Sequence, residues 1–522
     1  MQKIFFMEKL QKILWVDDEI DLLRPYIIFL KDKGYDVITA SNGVDALELT
    51  AKEQFDIIFL DENMPGISGL ETLTQIKKSS PTLPVVMITK NEAENIMNMA
   101  IGNQIADYLT KPVNPSQILL TLKKILHKRE ILNEQTTSSY SMEFSQIGMQ
   151  ISESFTDEQW FEIYRRLVFW DIRLNEAQNE MYNLLLSQKE EANRVFAKYI
   201  SKNYLKWFEN PETRPMISPD VFKKRIFPLL DNGDKVFLVV IDNFRYDQWR
   251  VVQETLSQYF NFDNEELYYS ILPTTTQYAR NALFSGLMPQ QIKEMFPKFW
   301  VDEEEEDGKN LYEEQLVGTL LERYRRKIPF SYHKINQSQE GEKLVEKLHS
   351  LKDNQLNICV LNFIDMLSHS RTESKMMREL AHTESAYRAL ALSWFQHSSA
   401  LTLFKELAQN GFKVVVTTDH GSIKVDRPIK VVGDKNTSVN LRYKVGKSLN
   451  YNKKEVFEIL QPSKAHLPSP NVSSSYIFAI NSDFLAYPTN FNYYVSYYKD
   501  TFQHGGISLE EMIVPLAIMS PK

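Results

Sequence analysis

Short apolar runs alternate with amphipathic stretches over the first quarter of the chain. The runs have the length and composition of buried strands, and they fall at residues 12–16, 36–39, 56–60 and 85–88. Between them apolar positions recur at helical spacing, as in residues 70–78. Strands that alternate with helices predict a parallel sheet covered on both faces. We therefore expect a five-stranded parallel α/β domain over residues 8–130.

The middle of the chain has the pattern of a helical bundle. Residues 149–210 contain neither Gly nor Pro, and apolar side chains recur at helical spacing, for example at Trp160, Tyr164 and Leu167. We predict two or three packed helices over residues 143–210, preceded by a polar linker at residues 133–142. Strand-like and helical stretches then alternate again, which predicts a larger α/β domain over residues 211–522.

The composition argues against several classes of protein. The formal net charge of −8 over 522 residues is the wrong sign for a general nucleic-acid or membrane-surface binder. The one cysteine, Cys359, lies in an apolar run, which excludes a disulfide and a cysteine-based zinc site. No apolar stretch reaches the roughly 18 residues of a membrane span, and no signal peptide or helix-turn-helix segment is evident. We therefore expect a cytoplasmic protein that does not bind operator DNA directly.

Polar residues suited to phosphoryl chemistry stand where the strands of the first domain end. They are Asp17, Asp18, Asp61, Thr89 and Lys111. Because the carboxyl ends of parallel strands share one edge, the three carboxylates would repel one another and stay ionised only beside a cation and an ammonium. This suits Mg²⁺, which takes oxygen ligands and bridges to a phosphoryl group. Asp61 would accept that phosphoryl group as an acyl phosphate.

These positions resemble the receiver domain of two-component response regulators, which has a flavodoxin-like sheet. The resemblance covers roughly residues 10–130 and implies Asp61 as the phosphorylated aspartate. The Mg²⁺ ligands that it implies are Asp17, Asp18, Asp61 and the backbone carbonyl of Asn63. The phosphoryl contacts that it implies are Thr89 and Lys111, and the switch aromatic is Tyr108.

Carboxylates and imidazoles also follow strand-like runs in the second half of the chain. The residues are Asp242, Asp365, His369, Asp419, His420 and His504. Sites in open α/β sheets lie just outside the carboxyl ends of the strands, so we expect these side chains to converge. Together they form a ligand set for one or two divalent metals, either Zn²⁺ or Mn²⁺.

A threonine-rich loop, residues 273–280, lies between Asp242 and Asp365 in the chain and leads into a helix. A hydroxyl at a helix N-terminus can be activated by a metal, and the amide dipoles there favour a phosphate. We predict two metal sites, one from Asp242, Asp419 and His420 beside the loop, and one from Asp365, His369 and His504. Arg280 and Asn243 have two interpretations, either as phosphate contacts or as a structural arginine and a turn asparagine.

The order of these residues resembles the alkaline phosphatase superfamily of metal-dependent phosphatases and phosphodiesterases. The stretch 273–287 looks like the PglZ branch of that superfamily. The nucleophile of related phosphodiesterases stands three residues after the proline, which selects Thr276 as nucleophile and additional metal ligand. Thr275 stays an alternative, because three adjacent threonines leave the register open. The resemblance implies a zinc-dependent phosphodiesterase, and we expect nucleotide phosphodiesters, cyclic or oligomeric, as its substrates.

A receiver, a helical bundle and a PglZ domain in this order are similar to response regulators linked to the type IX secretion system. This implies a sensor histidine kinase upstream and a sigma factor or another transcription component downstream. We also expect phosphorylation to favour a homodimer. Two other functions stay open at this point. One is a PglZ domain that binds a partner or nucleotide without turnover, and the other is a phosphomonoesterase or phosphomutase.

Overall fold

The chain divides into two compact units, Met1–Ser138 and Ser139–Lys522. The computed structural model describes residues 11–80, 83–89, 105–126, 128–154, 156–176, 179–302, 305, 308–373, 381–434, 437–471, 473–489 and 491–522. Within these described ranges, the first unit holds a five-stranded sheet, and the second holds a six-stranded sheet with smaller sheets beside it.

The sheet of the first unit is parallel throughout. Its strands are β1 (Gln11–Val16), β2 (Tyr35–Ala40), β3 (Ile57–Asp61), β4 (Val85–Thr89) and β5 (Asp107–Thr110). Its helices are α1 (Arg24–Asp32), α2 (Gly43–Lys52), α3 (Gly69–Ser79) and α4 (Pro115–Leu126). The strand order β2-β1-β3-β4-β5 confirms the flavodoxin-like parallel sheet predicted from the apolar runs.

The central strands β1 and β3 fix where chemistry can occur in this unit. From Ile13 onward in β1 and throughout β3, the side chains are buried on both faces of the sheet, as expected for continuous apolar runs. The chain winds from β1 to β2 on one side and returns to β3 on the other, so a crevice opens at their carboxyl ends. Asp17 follows β1 directly and Asp61 is the last residue of β3.

Three long helices follow, namely α5 (Lys128–Glu153), α6 (Asp157–Glu176) and α7 (Tyr182–Glu209). The predicted linker at residues 133–142 was wrong, because this segment lies inside α5. The segment is rich in polar Ser and Thr residues, but it contains no Gly or Pro that would interrupt a helix. Apolar positions in and after it, Tyr140 and Ile147, are fully buried, so tertiary packing supports the helix.

The second unit is built on a mixed sheet. Its strands are β6 (Val236–Ile241), β7 (Phe260–Tyr269), β8 (Phe330–Ile335), β9 (Leu356–Leu361), β10 (Lys413–Thr417), β11 (Ile423–Lys424), β12 (Arg427–Lys430), β13 (Tyr443–Lys447), β14 (Val456–Ile459), β15 (Ser474–Ala479), β16 (Asp483–Ala486), β17 (Phe502–Gln503) and β18 (Ile513–Pro521). Six form the order β7-β18-β10-β6-β9-β8, in which β18 alone pairs antiparallel with both neighbours. The parallel strands β10, β6 and β9 therefore end at the same edge.

Helices cover this sheet and confirm the α/β class predicted for the region. They are α8 (Phe227–Asp231), α9 (Tyr246–Leu256), α10 (Asn281–Ser285), α11 (Pro289–Met295), α12 (Glu313–Arg323), α13 (Ser338–Lys347), α14 (Phe363–Glu373), α15 (Glu384–His397), α16 (Ser399–Gln409), α17 (Phe491–Tyr498) and α18 (Leu509–Met512). The apolar run at residues 358–364 is shared between β9 and α14, so Asp365 lies on a helix. Among the described residues, no helix is both long and apolar enough to cross a membrane.

Candidate functional site

In the first unit, Lys111 bridges two buried aspartates at the carboxyl edge of the sheet. Its Nζ lies 2.9 Å from Asp17 Oδ2 and 2.8 Å from Asp61 Oδ2. Burial raises the pKa of the Asp61 carboxyl, and the Lys111 ammonium opposes that rise. Lys111 therefore supplies one of the positive charges that clustered carboxylates require.

Asp18 completes a group of three carboxylates at this edge. The carboxylate oxygens of Asp17, Asp18 and Asp61 lie within 4.8 Å of one another, and Asp18 is exposed to solvent. The backbone N–H of Asn63 donates a hydrogen bond to the Asp61 carboxylate. Three oxygen donors at an open edge fit Mg²⁺, which keeps several waters when it binds.

The other residues predicted for this site lie on the neighbouring strands β4 and β5. Thr89 ends β4 and is buried, and its carbonyl accepts the backbone N–H of Lys111 at 2.7 Å. Tyr108 lies on β5 and is 49% exposed. Tyr108 thus lies three residues before Lys111 and is half exposed to solvent.

In the second unit, Asp242, Asp419 and His420 form one compact group, which we term the inner ligand set. Asp242 follows β6, and Asp419 and His420 follow the adjacent strand β10. All three are buried, and their ligand atoms lie within 4.8 Å of one another. Burial raises the pKa of Asp242 to about 8, against the opposing charge of Arg280.

Asp365, His369 and His504 form a second group, the outer ligand set. Asp365 and His369 lie one turn apart on α14, and His504 follows β17. His369 Nε2 is 3.4 Å from Asp365 Oδ2, and His504 Nε2 is 3.6 Å from Asp365 Oδ1. The His369 side chain is 62% exposed, so the outer set opens to solvent whereas the inner set is enclosed.

Backbone carbonyls orient one histidine from each set. His420 Nδ1 lies 3.1 Å from the carbonyl oxygen of Gly421, and His504 Nδ1 lies 3.3 Å from that of Thr274. A carbonyl only accepts, so Nδ1 carries the proton and the lone pair of Nε2 is available to a cation. Burial lowers the pKa of both imidazoles, that of His504 to about 3.

Asn243 joins the two ligand sets. Its backbone N–H donates to Asp419 Oδ1 at 3.3 Å, and its side-chain Nδ2 donates to Asp365 Oδ1 at 3.2 Å. It adopts the left-handed backbone region, with a φ of 58°, which asparagine tolerates better than most residues. Asn243 is thus a turn asparagine that also fixes one carboxylate of each set.

Arg280 neutralises the inner set from within the protein. Its Nη1 lies 2.7 Å from Asp242 Oδ2 and 3.7 Å from Asp419 Oδ2, and its Nε pairs with Glu313. The guanidinium is buried, so these contacts favour the structural interpretation over a contact with phosphate. Glu313 was missed in the sequence, because an acid in the first turn of a helix is usually a helix-terminal charge.

The three adjacent threonines make different contacts. Thr276 Oγ1 lies 3.2 Å from His420 Nε2 and 3.4 Å from Asp242 Oδ1, at the start of a wide helical turn, Thr276–Arg280. Thr274 donates to the Gly506 carbonyl at 3.0 Å. The buried hydroxyl of Thr275 has no hydrogen-bond partner within the described part of the chain. The hydroxyl that faces the inner set is therefore that of Thr276.

The donors of the inner set fit a divalent cation. Asp419 Oδ2 is buried and accepts no hydrogen bond from any described residue. Arg280 Nη1 and His420 Nε2 each lie 3.7 Å from it, too far for a hydrogen bond. A buried acceptor without a partner is costly, and a cation held by Asp419 Oδ2 and His420 Nε2 would satisfy both atoms.

Three regions of the chain match known family models. Residues 221–519 match the BREX system PglZ alkaline phosphatase-like domain. Residues 13–123 match the response regulator receiver domain, and residues 130–208 match the PorX response regulator linker domain.

Curated relatives align with about a quarter of the chain. The alginate biosynthesis transcriptional regulatory protein AlgB of Pseudomonas aeruginosa is 37% identical over 124 residues, which is 24% of this chain and 28% of that protein. The alkaline phosphatase synthesis transcriptional regulatory protein PhoP of Bacillus subtilis is 36% identical over 123 residues, 23% of this chain and 50% of that protein. The chain thus matches between about a quarter and a half of the length of these two relatives.

Solved structures align over a similar share of the chain. The chemotaxis protein CheY4 of Vibrio cholerae has 32% identity and a TM-score of 0.22, covering 22% of this chain and 99% of that one. The response regulator TrrA of Thermotoga maritima, in complex with Mg²⁺ and BeF, has 29% identity and a TM-score of 0.21, covering 22% of this chain and 99% of that one.

The family matches agree with the two candidate sites, an acidic sheet edge in the first unit and two carboxylate–imidazole ligand sets in the second. The chain joins a response regulator receiver domain to an alkaline phosphatase-like domain, and both domain types are typically metal-dependent. The PglZ model matches more than half of the chain, residues 221–519, and the chain belongs to the PglZ family. Its receiver, linker and PglZ regions follow the PorX-like order.

Proposed function

We propose that phosphorylation at Asp61 controls a zinc-dependent phosphodiesterase in the PglZ domain. The observation that carries this proposal is the Thr276 hydroxyl, 3.2 Å from His420 Nε2 and 3.4 Å from Asp242 Oδ1. The outer ligand set adjoins it through the hydrogen bonds of Asn243. A hydroxyl beside two neighbouring metal-ligand sets is suited to attack on a phosphoester.

In the proposed mechanism, two successive displacements at phosphorus occur, and each residue of the site has a separate role. Thr276 Oγ1 forms a bond to phosphorus, the P–O bond to the leaving group breaks with its electron pair on the departing oxygen, and the proton of the Thr276 hydroxyl passes to that oxygen, which leaves as an alcohol. Water then attacks the phosphothreonine and regenerates the hydroxyl. Arg280 favours the ionised forms of Asp242 and Asp419, and Asn243 holds the carboxylates of both sets in place.

We propose Zn²⁺ for the two ligand sets of the PglZ domain, with Mn²⁺ as the second choice. The donors are carboxylates and imidazoles without a thiolate, which suits both ions. Bound there, the metals would lower the pKa of the Thr276 hydroxyl and balance the charge on the phosphoryl oxygens. We propose Mg²⁺ for the receiver, held by Asp17, Asp18, Asp61 and the carbonyl of Asn63, with Thr89 and Lys111 contacting the phosphoryl group and Tyr108 acting as the switch aromatic.

We infer that the substrates are nucleotide phosphodiesters, cyclic or oligomeric. We infer also that the protein regulates type IX secretion through a sigma factor or another transcription component. The match of residues 130–208 to the PorX response regulator linker domain supports this assignment. A receiver that is linked to a PglZ domain allows a kinase signal to reach the hydrolytic site.

The test is hydrolysis by the purified full chain of bis(p-nitrophenyl) phosphate beside p-nitrophenyl phosphate, with Zn²⁺, with Mn²⁺ and with EDTA. We expect metal-dependent hydrolysis of the diester, lost in EDTA and restored by Zn²⁺. Preference for the monoester would indicate a phosphomonoesterase. Tight zinc binding without hydrolysis of either ester, or of a cyclic dinucleotide, would indicate a binding module.

A further inference from the structure

A buried charge network joins the helices α6 and α7 to the PglZ domain. It contains three cations and four acids, namely Asp171, Lys189, Arg245, Asp247, Glu384, Arg388 and Glu510. Six of these residues are less than 10% exposed, and the side chain of Glu384 is 15% exposed. Such a network is sensitive to the loss of a single member, because each removal leaves an opposite charge buried without its partner.

Lys189, on α7, is the cation that the helices α6 and α7 contribute to this network. Its Nζ lies 2.8 Å from Asp171 Oδ2 and contacts Glu384, and it is 3.9 Å from Glu510 Oε1. Asp171 and Glu384 each have a second cation, Arg388 and Arg245 respectively. Within the described ranges, Glu510 forms an ion pair with Lys189 alone.

Glu510 lies directly behind the inner ligand set. A Cβ added to Gly421 would stand 2.0 Å from the Glu510 carbonyl oxygen, so only glycine permits this close approach. The N–H of Gly421 donates to the Glu511 carbonyl at 3.2 Å, and the Gly421 carbonyl accepts from His420 Nδ1. The backbone at Glu510 therefore sets the position of the residue that orients His420.

A second residue of α7 fixes the same segment. Asn193 Nδ2 donates to Glu510 Oε2 at 3.0 Å, and Asn193 Oδ1 accepts the backbone N–H of Leu509 at 2.8 Å. Both Lys189 and Asn193 thus hold α18 from the same face of α7. Movement of α7 would move the backbone on which Gly421 rests.

We propose that Lys189 is a positioning residue for the inner ligand set, acting through Glu510 and Gly421 on His420. Its ammonium offsets the charge of the Glu510 carboxylate. This keeps α18 in the position from which its backbone holds Gly421, and through Gly421 the imidazole of His420. The inference rests on the proposed function, because it assumes that the inner set holds a metal. On this proposal, the helix α7 is a structural part of the proposed hydrolytic site.

The test is zinc affinity, measured on the unphosphorylated full chain by competition with a chelating dye, with stoichiometry by mass spectrometry. Lys189→Met should weaken zinc binding at one of the two sites about tenfold or more, as loss of a supporting partner does elsewhere. Lys189→Arg should restore most of the affinity. Lys198→Met, at an exposed position on the same helix, should bind zinc as the wild type does.

A double variant separates the charge offset from general destabilisation. If Lys189 acts by offsetting Glu510, Lys189→Met combined with Glu510→Gln should recover the zinc affinity that Lys189→Met loses. A folded Lys189→Met chain with wild-type zinc affinity and only a lower Tm would overturn the proposal. So would a double variant that binds zinc as poorly as the single one.

If Lys189→Met does not fold, the comparison between this variant and the double variant still tests the proposal. Recovery of a folded, zinc-binding chain in the double variant supports the charge offset, and a double variant that stays unfolded overturns it. Zinc affinity is measured without substrate. A wild-type chain that binds zinc but hydrolyses nothing would therefore overturn the proposed function, while the zinc comparison would still decide the role of Lys189.

Discussion

The imidazole rings of His420 and His504 stack with their centroids 4.4 Å apart and their planes at 19°, although they belong to different ligand sets. Each ring donates its Nδ1 proton to a backbone carbonyl and leaves Nε2 for a cation. The two sets therefore share one wall of the site. One phosphoryl group beside Thr276 can face both.

Loss of ligands should separate the two metal sites. Asp365→Ala and His504→Ala should each remove one metal equivalent, and Asp419→Ala and His420→Ala should each remove the other, with the fold retained. Metal content by mass spectrometry, beside circular dichroism, checks this. His333→Ala, which alters a histidine outside both sets, serves as the control. Retention of two equivalents in all four variants would contradict the assignment.

Thr276→Val should keep both metals and lose at least about 10²-fold in phosphodiesterase rate, because the attacking hydroxyl is removed. Thr275→Val is the matched control, since its hydroxyl has no partner among the described residues. The rate on bis(p-nitrophenyl) phosphate is measured for both. Loss of activity in Thr275→Val alone would move the nucleophile by one residue, and full activity in both would replace the covalent mechanism with direct attack by water.

Arg280→Gln should destabilise the metal-free chain by about 3–5 kcal/mol, because it leaves buried carboxylates without their cation. The carboxylates that lose their cation are Asp242 and Asp419, whereas Glu313 keeps Lys334 at 2.9 Å. Saturating zinc should recover part of the loss, since the metal supplies the missing positive charge. Urea denaturation with EDTA and with Zn²⁺ measures this. Arg250→Gln, which removes a partly exposed pair with Glu265, should cost below about 1 kcal/mol.

Asp61→Asn should abolish labelling by acetyl phosphate in the presence of Mg²⁺, because an amide cannot form the acyl phosphate. Asp32→Asn, at an exposed position at the end of α1, should label as the wild type does. The measurement is phosphate-affinity electrophoresis. Undiminished labelling of Asp61→Asn would place the phosphorylation elsewhere.

Phosphorylation should shift the chain from monomer to dimer, since it draws Lys111 toward the new phosphoryl group and alters the surface beside Tyr108. Light scattering before and after verified phosphorylation measures the change in mass. Tyr108→Ala should weaken the shift, because the 49% exposed ring then no longer contributes to the surface. An unchanged mass after complete phosphorylation would refute this prediction.

Sequence patterns predicted which residues share a sheet edge. They did not predict the features that depend on tertiary packing. Asp242 and Asp419 could be paired because each follows an apolar strand, and parallel strands end together. The helix over residues 133–142 could not be predicted, because its support comes from Tyr140 packed against distant partners. Glu313 and Glu510 could not be found either, since their roles depend on partners that only folding brings near.

The strand β18 inserts between β7 and β10, at the centre of one half of the main sheet. Every residue of the inner and outer ligand sets precedes β18 in the chain. During synthesis, a nascent chain that has emerged from the ribosome as far as His504 carries every residue of the two ligand sets. It still exposes two unpaired strand edges, which are sites for aggregation. Zinc taken up at that stage would meet an unfinished scaffold, so we expect the proposed metal sites to load only after β18 has joined the sheet.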